Sequence, residues 1–445
     1  MKKLKKLSLI LLLSLLLSIL LTGCTPDSKE IDDQVYTLVI GADKGVNNRV
    51  RVTVQFPTYK KGGGESSGGS QKKGGGGEGN ANETGEVSGT IVETVESPSL
   101  LEAIDILNTS TSRRISLVQS KAIIFSEDLA REGVGRYLET LARYSETRRT
   151  MQVIVCRGAA EDFIKENKTL IGESLAKAME LSIGESTTTG FFPHVTFHKF
   201  YGGILNPYSM AFASYAGIND FSNLKPLGES ESSPLKIGNG LLPGEESRKG
   251  DLKKEFSGAA VFDGDKMVGS LNSYETRYLL MVTGDFKRGI VTIEDKDNPD
   301  FAIPLDVRLA RVPRIKAHFE NGIPVIDVNI NIEADVGAIQ SRQSYEKASK
   351  INELDDHIET YLKNGIMRTI EKTQREWGVD IFGFGGYVAR SFFTVTEFEK
   401  YNWLSHYRDA KVNVIVSANV RRTGLMMSSS PIRNTKDTII TKGEP

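Results

Sequence analysis

The chain is short of cysteine, histidine and net charge. Two cysteines among 445 residues exclude a disulfide framework and a cysteine-built zinc site. The five histidines are scattered; no His-Glu-x-x-His helix and no Gly-x-Ser-x-Gly elbow occurs. With 56 basic and 57 acidic side chains the formal charge is −1, and no dominant run of either sign stands out. That balance argues against nucleic acid as a partner, and against charge as the main hold on a membrane. Gly-Lys-Ser and Gly-Lys-Thr are also missing, so the glycine-rich residues 60–85 are not a phosphate-binding loop.

What the chain does have begins at its start. Lys2, Lys3, Lys5 and Lys6 precede an almost pure leucine run over residues 7–21, and Leu21-Thr22-Gly23-Cys24 follows. Small residues before a cysteine, directly after an apolar run, form a bacterial lipoprotein signal with Cys24 as the lipidated residue. The thiol takes a diacylglyceryl group, and small neighbours let a membrane peptidase reach the bond before it. As a helix, residues 7–21 span about 22 Å at ~1.5 Å per residue, too short for a ~30 Å hydrocarbon core. Two or more acyl chains anchor stably where one does not. The body after Cys24 is then expected on the outer face of a membrane. Cys156, in the strand-like residues 151–156, reads as a buried small hydrophobe.

Residues 35–42 and 49–56 read as strands joined by a turn. In the second, Val50, Val52, Val54 and Phe56 share one face, and Arg51, Thr53 and Gln55 the other. Residues 60–85 are expected to be a flexible loop. Ser99-Leu100-Leu101-Glu102 is a capping-box pattern that opens a helix. A strand over 116–125, a helical stretch over 129–144 past Gly133 and Gly135, and a strand over 150–156 follow. Helices over 159–165, 174–183 and 194–205 precede a strand over 210–216. Residues 217–254, rich in Gly, Ser, Pro and Glu, read as a linker or long surface loop.

The second half opens with a hairpin of residues 256–262 and 266–271. With Gly264-Asp265 as its loop, Phe262 opposes Met267 and Asp263 opposes Lys266. Asn272 and Glu275 form a second capping box, and residues 289–294 a strand. Asn321-Gly322 specifies a type I′ hairpin in which Ile315 opposes Val328, Ala317 opposes Ile326, Lys316 opposes Asp327 and Arg314 opposes Asn329. Its charged strip reads as a solvated face. Residues 339–377 form a long amphipathic helical region with Ile351, Leu354, Ile358, Leu362, Ile366 and Ile370 as its stripe, kinked or split at Gly365. Residues 411–421 close the fold as a strand, and the tail from 423 reads as disordered. The expected division is a signal peptide at 1–23, an N-terminal mixed domain at 24–205, a middle domain at 206–310, a C-terminal domain at 311–422 and a tail at 423–445.

Candidate chemistry is sparse. His194 and His198 would share a helix face at metal-ligand spacing, but no third ligand stands in register, and Phe191, Phe192, Phe197 and Phe200 make packing the better reading. Arg113, Arg114, Arg143, Arg148 and Arg149 read as surface charge paired with Glu139 and Glu146, in preference to a surface for an anionic partner. Neither a catalytic constellation nor a metal or cofactor site emerges.

The order of several short pieces resembles the Ger(x)C family, the C-subunit lipoproteins of bacterial spore germinant receptors. They are the lipobox at Cys24, Glu30-Ile31-Asp32-Asp33, Ile40-Gly41-Ala42-Asp43-Lys44-Gly45, Ser99-Leu100-Leu101-Glu102-Ala103-Ile104, Arg114 and Ser120-Lys121-Ala122-Ile123-Ile124-Phe125. They continue with Leu129-Ala130-Arg131-Glu132-Gly133, Arg143-Tyr144-Ser145-Glu146-Thr147-Arg148, Ala260-Val261-Phe262, Asp265-Lys266-Met267-Val268-Gly269 and Glu275-Thr276-Arg277. The chain departs from the pattern at Thr25-Pro26, in the glycine-rich loop, and at Tyr407 after Trp403. The resemblance implies an α+β fold: an elongated row of three small mixed domains, each a mainly antiparallel sheet packed with helices. It implies a non-catalytic protein on the outer face of the spore's inner membrane, in a complex with two integral membrane subunits, A and B, that senses nutrients. Only Cys24 is carried over as a site residue; no ligand-binding residue is. A solute-binding lipoprotein feeding a transporter, and a wall-active hydrolase, are the readings from other classes.

Overall fold

The apolar runs near residues 40, 124 and 154 lie side by side as parallel strands buried on both faces, which is why they lack alternation. The computed structural model describes residues 6, 8, 33–57, 89–168, 175–225, 235, 237–238, 240–341, 343, 345 and 347–424. Cys24, residues 60–85 and the tail from 425 lie outside the described residues.

In chain order come β1 (Gln34–Tyr36), β2 (Val39–Lys44), β3 (Val50–Pro57), β4 (Thr90–Ser97), α1 (Leu100–Asn108), β5 (Arg114–Ser116), β6 (Ala122–Ser126), α2 (Glu127–Glu132), α3 (Gly135–Arg143) and β7 (Gln152–Cys156). Next are α4 (Ala160–Lys165), α5 (Leu175–Gly184), α6 (Ser186–Thr189), α7 (Phe197–Ile204), β8 (Phe212–Ile218), β9 (Lys254–Asp263), β10 (Lys266–Leu271) and α8 (Ser273–Thr283). The strands β2 to β4 and β6 to β10 make one sheet in the order β10-β9-β8-β7-β6-β2-β3-β4, with β1 and β5 a small parallel pair beside it. Its centre is parallel and its flanks antiparallel. Ile123, Phe125, Val153 and Val155 face the layer of α1, α2, α3 and α7, while Ile124, Ile154 and Cys156 face α4 and α5.

The second sheet holds β11 (Arg288–Glu294), β12 (Ala302–Leu309), β13 (Arg314–Glu320), β14 (Ile323–Val336) and β15 (Lys411–Arg422). β12 and then β13 pair with one edge of β14, and β15 lies parallel along the other. Helix α9 (Ala348–Lys372) covers it with Leu354, Ile358, Leu362, Ile366 and Ile370, each at most 1% exposed. Its acids also serve the outer edge of β15: Ala418 N donates to Glu359 Oε1 at 2.9 Å, and Val420 N to Asp355 Oδ1 at 2.7 Å. Side chains thereby take two N–H groups that a bare edge would offer to another chain.

The fold is α+β, as expected, and both hairpin registers form as the turn residues specify. The expected boundaries at 205/206 and 310/311 do not coincide with sheet breaks, because β8, β9 and β10 extend the first sheet and β11 and β12 belong to the second. Residues 35–42 make two strands: Thr37 N reaches Ser116 O and Leu38 N reaches Gln55 O, so the chain changes partner there. The strand expected over 116–125 divides likewise, and Glu146 holds the intervening turn by accepting from Ser116 Oγ and Leu117 N. The 129–144 helix breaks at Gly133, whose φ of 131° excludes a continuous helix. The last helix of the N-terminal part starts at Phe197, with Thr196 as its cap, leaving His194 outside. Thr53 and Gln55 are buried beneath α4, Gln55 and Asn167 exchanging amide hydrogen bonds. Gly365 neither kinks nor splits α9; it admits Tyr278 of α8, whose Cζ lies 2.3 Å from where a Cβ would be. The long helical region begins at Ala348 and ends in a wider turn over Thr373–Trp377. β4 and β12 are strands that the sequence reading did not place.

Candidate functional site

Doubly wound sheets take ligands at the carboxyl ends of their parallel strands. Here that position is filled from within. Asp43, at the end of β2, accepts from Ala160 N at 2.7 Å and Glu161 N at 2.9 Å, so its carboxylate occupies the amino end of α4. Burial pushes its carboxyl up, and these hydrogen bonds pull it back. Cys156 lies behind it at the end of β7, fully buried, its thiol pushed well up by burial and by the charge of Asp43. A thiol held protonated and out of reach is no nucleophile.

The histidine pair is not brought together. His194 Nε2 lies 2.7 Å from Gln152 Nε2, whereas His198 lines a different hollow on α7. Among the described residues no group of three or more His, Cys, Asp or Glu side chains stands ready for a metal, and no helix is long and apolar enough to cross a membrane. The arginines expected to pair with Glu139 and Glu146 do so in part. Arg143 meets Glu139 at 2.8 Å, while Glu146 holds the 117–121 turn instead.

Two hollows remain. The larger, about 660 Å³, lies where the two sheets meet, between α7, residues 206–212, the end of α8 and residues 381–383. Met210, Phe212, Ile381 and Phe382 give it an apolar wall, and Lys199 and Asp285, paired at 2.7 Å, a charged one. Its far side is built on Asp380, a fully buried carboxylate. Its Oδ1 accepts from Phe382 N and Gly383 N, and its Oδ2 from Gly385 N and Trp403 Nε1, all between 2.9 and 3.0 Å. Met210 N donates to the Asp380 carbonyl at 2.7 Å, tying the first sheet to this loop. The second hollow, about 470 Å³, opens at the amino ends of β6 and β7. Its lining draws on residues 119–121, 148–152, 180–183 and 194–196, a convergence that no local motif announces.

Residues 27–218 match the family model described as the spore germination protein N-terminal domain, and residues 257–424 the one described as spore germination B3/GerAC like, C-terminal. The chain belongs to the Ger(x)C family. Among its relatives is spore germination protein YndF of Bacillus subtilis (strain 168), 25% identical over 428 residues, covering 92% of this chain and 95% of that one. Another is spore germination protein GerQC of Bacillus cereus, 20% identical over 421 residues, covering 93% and 98%. The crystal structure of the GerBC protein aligns with a TM-score of 0.47 at 16% identity, over 86% of this chain and 96% of that one.

The pieces that carry the Ger(x)C resemblance meet one another in space. Gly133 and Gly135 lie against the hairpin turn at Asp265, whose carbonyl accepts from Val134 N at 2.9 Å and whose Oδ2 accepts from Gly135 N at 3.1 Å. A Cβ at Gly135 would sit 2.7 Å from that oxygen. Glu275 completes the cap of α8 and takes Lys372 of α9 at 2.8 Å. Arg277 is 1% exposed and has no carboxylate partner among the described residues. Its Nη2 donates to Thr189 O at 2.7 Å and its Nη1 to Ile290 O at 2.9 Å, with its guanidinium 4.3 Å from the Phe191 ring centroid. In Ger(x)C terms the Asp265 contacts lock α2 and α3 onto the β9–β10 hairpin of the first sheet, while Glu275 and Arg277 join α8 to the second sheet and its helix.

Proposed function

We propose that this chain is a non-enzymatic, lipid-anchored C subunit of a germinant receptor, held through Cys24 on the outer face of the spore's inner membrane. It works there by contact with the integral membrane A and B subunits and helps convert a nutrient signal into germination. The observation that carries the reading is the match to both family models, spanning residues 27–218 and 257–424. The leader ending in Leu21-Thr22-Gly23-Cys24 supports the anchor. Spores carrying Cys24→Ala should lose nutrient-triggered germination and still germinate with added dipicolinate. A normal nutrient response in those spores overturns the anchored-subunit reading.

The junction hollow favours a second reading, a solute-binding lipoprotein that delivers a small nutrient to a transporter. An apolar wall facing the Lys199–Asp285 pair suits a small amphipathic solute. Calorimetry of the purified protein with candidate nutrients decides between them: tight binding promotes this reading, and no heat above dilution removes it.

A further inference from the structure

We propose that the hollow at the amino ends of β6 and β7 is a binding site for a small anion bearing a carboxylate or phosphate group. The opposite end of these strands is closed by Asp43, so this is where the parallel centre of the sheet stays open. Lys121 and Arg148 supply two positive charges to the lining and Glu180 one negative charge, which leaves a local excess of one and suits a monoanion. Lys121 Nζ lies 2.5 Å from Glu180 Oε1, which uses one of its three donors. Arg148 is exposed, and no hydrogen bond or ion pair engages its guanidinium among the described residues. A guanidinium free to turn its fork toward a carboxylate or phosphate makes the strongest class of polar contact a protein offers.

The inner wall is built for polar chemistry. Gln152 is 7% exposed, and its Nε2 donates to His194 Nε2 at 2.7 Å. That bond makes Nε2 an acceptor, places the imidazole proton on Nδ1 and leaves an N–H donor on the ring. Burial and the charge of Lys199 hold the His194 pKa below the usual imidazole value, so the ring contributes a neutral donor. The Thr150 hydroxyl adds a further donor at the mouth.

Calorimetric titration of the full chain in detergent with sodium acetate and with inorganic phosphate tests the proposal. Binding to vesicles of phosphatidylglycerol against phosphatidylcholine separates a lipid headgroup from a free anion. At least one soluble anion should bind saturably at one site. Arg148→Gln should weaken that binding tenfold or more. Glu180→Gln should tighten it severalfold, because it removes the competing carboxylate from Lys121, a gain that a structural role for Glu180 does not predict. Both residues are exposed, so thermal midpoints of the variants should match the parent. The proposal is overturned if neither soluble anion binds, if both variants bind as the parent does, or if only the vesicles are bound.

Discussion

Replacing Arg277 tests the joint between the two sheets. Its side chain gives three N–H contacts to two carbonyls, Thr189 O on the first part and Ile290 O on β11, and stacks on Phe191. In Arg277→Met the stem volume is kept and both carbonyls lose their donors. Hydrogen bonds from a charged donor contribute about 1.5–3 kcal/mol each, and the cation–π contact about 1 kcal/mol more. Against this, a buried charge with no carboxylate partner is relieved of its desolvation cost, which offsets a few kcal/mol. The net expected loss is about 3 kcal/mol. Arg277→Lys should lose about half as much, since one ammonium reaches one of two separated carbonyls while the charge stays buried. Guanidinium chloride unfolding provides the assay, followed in parallel by far-UV circular dichroism and by tryptophan fluorescence. Both tryptophans, Trp377 and Trp403, lie in the second half, so fluorescence reports that half while circular dichroism averages over the whole chain. In the methionine variant their midpoints should separate, because the link between the sheets is cut. A methionine variant within about 0.5 kcal/mol of the parent, or a lysine variant less stable than it, refutes this account and makes desolvation the dominant effect.

Asp380→Asn should cost about 3 kcal/mol and shift the Trp403 emission, because an amide accepts at one end only and turns its NH₂ toward two of the four donors; unchanged emission and stability contradict it. Gly365→Ala should lose about 1–2 kcal/mol despite better helix propensity, since Tyr278 is 6% exposed and its ring has nowhere to retreat; a stabilised variant refutes the close-packing role. Burial holds the Lys254 ammonium down at about 8. Between that pH and about 10.5 the unfolded chain binds more protons than the folded one, so stability rises with pH across the window by up to about 3 kcal/mol. Lys254→Met should abolish the rise, and the difference between the two proteins cancels buried tyrosines such as Tyr215, whose raised pKa acts the other way above pH 10. Parallel curves for the two proteins between pH 7.5 and 10 count against it.

Local chemistry was legible in the sequence. Asn321-Gly322 fixes a turn whose residues adopt positive φ of 50° and 83°, and every cross-strand pair follows from that turn. The Asn272–Glu275 cap likewise lies within four residues. Partner choice over long separations was not legible. The run 35–42 looks like one strand because nothing within it records that β1 goes to β5 and β2 to β3 and β6. β12 was masked by Pro304, a residue that argues against a strand and is tolerated here opposite Thr292. Gly365 reads as a helix weakness until Tyr278, far away in sequence, is seen to fill its place. The 470 Å³ hollow draws on four separate segments, so its Arg148 and His194 looked like surface charge and packing.

The hairpin of β9 and β10 has a consequence for how the molecule is made. It belongs to the part matched by the C-terminal family model, yet it completes the sheet of the N-terminal one. During synthesis the emerging polypeptide therefore holds β8 with an open hydrogen-bonding edge until β9, beyond residues 219–253, has followed it out. Long-range pairing of this kind slows folding and exposes sticky edges while it waits. A fragment ending at residue 218 is born with that edge permanently bare, and aggregation is its expected fate.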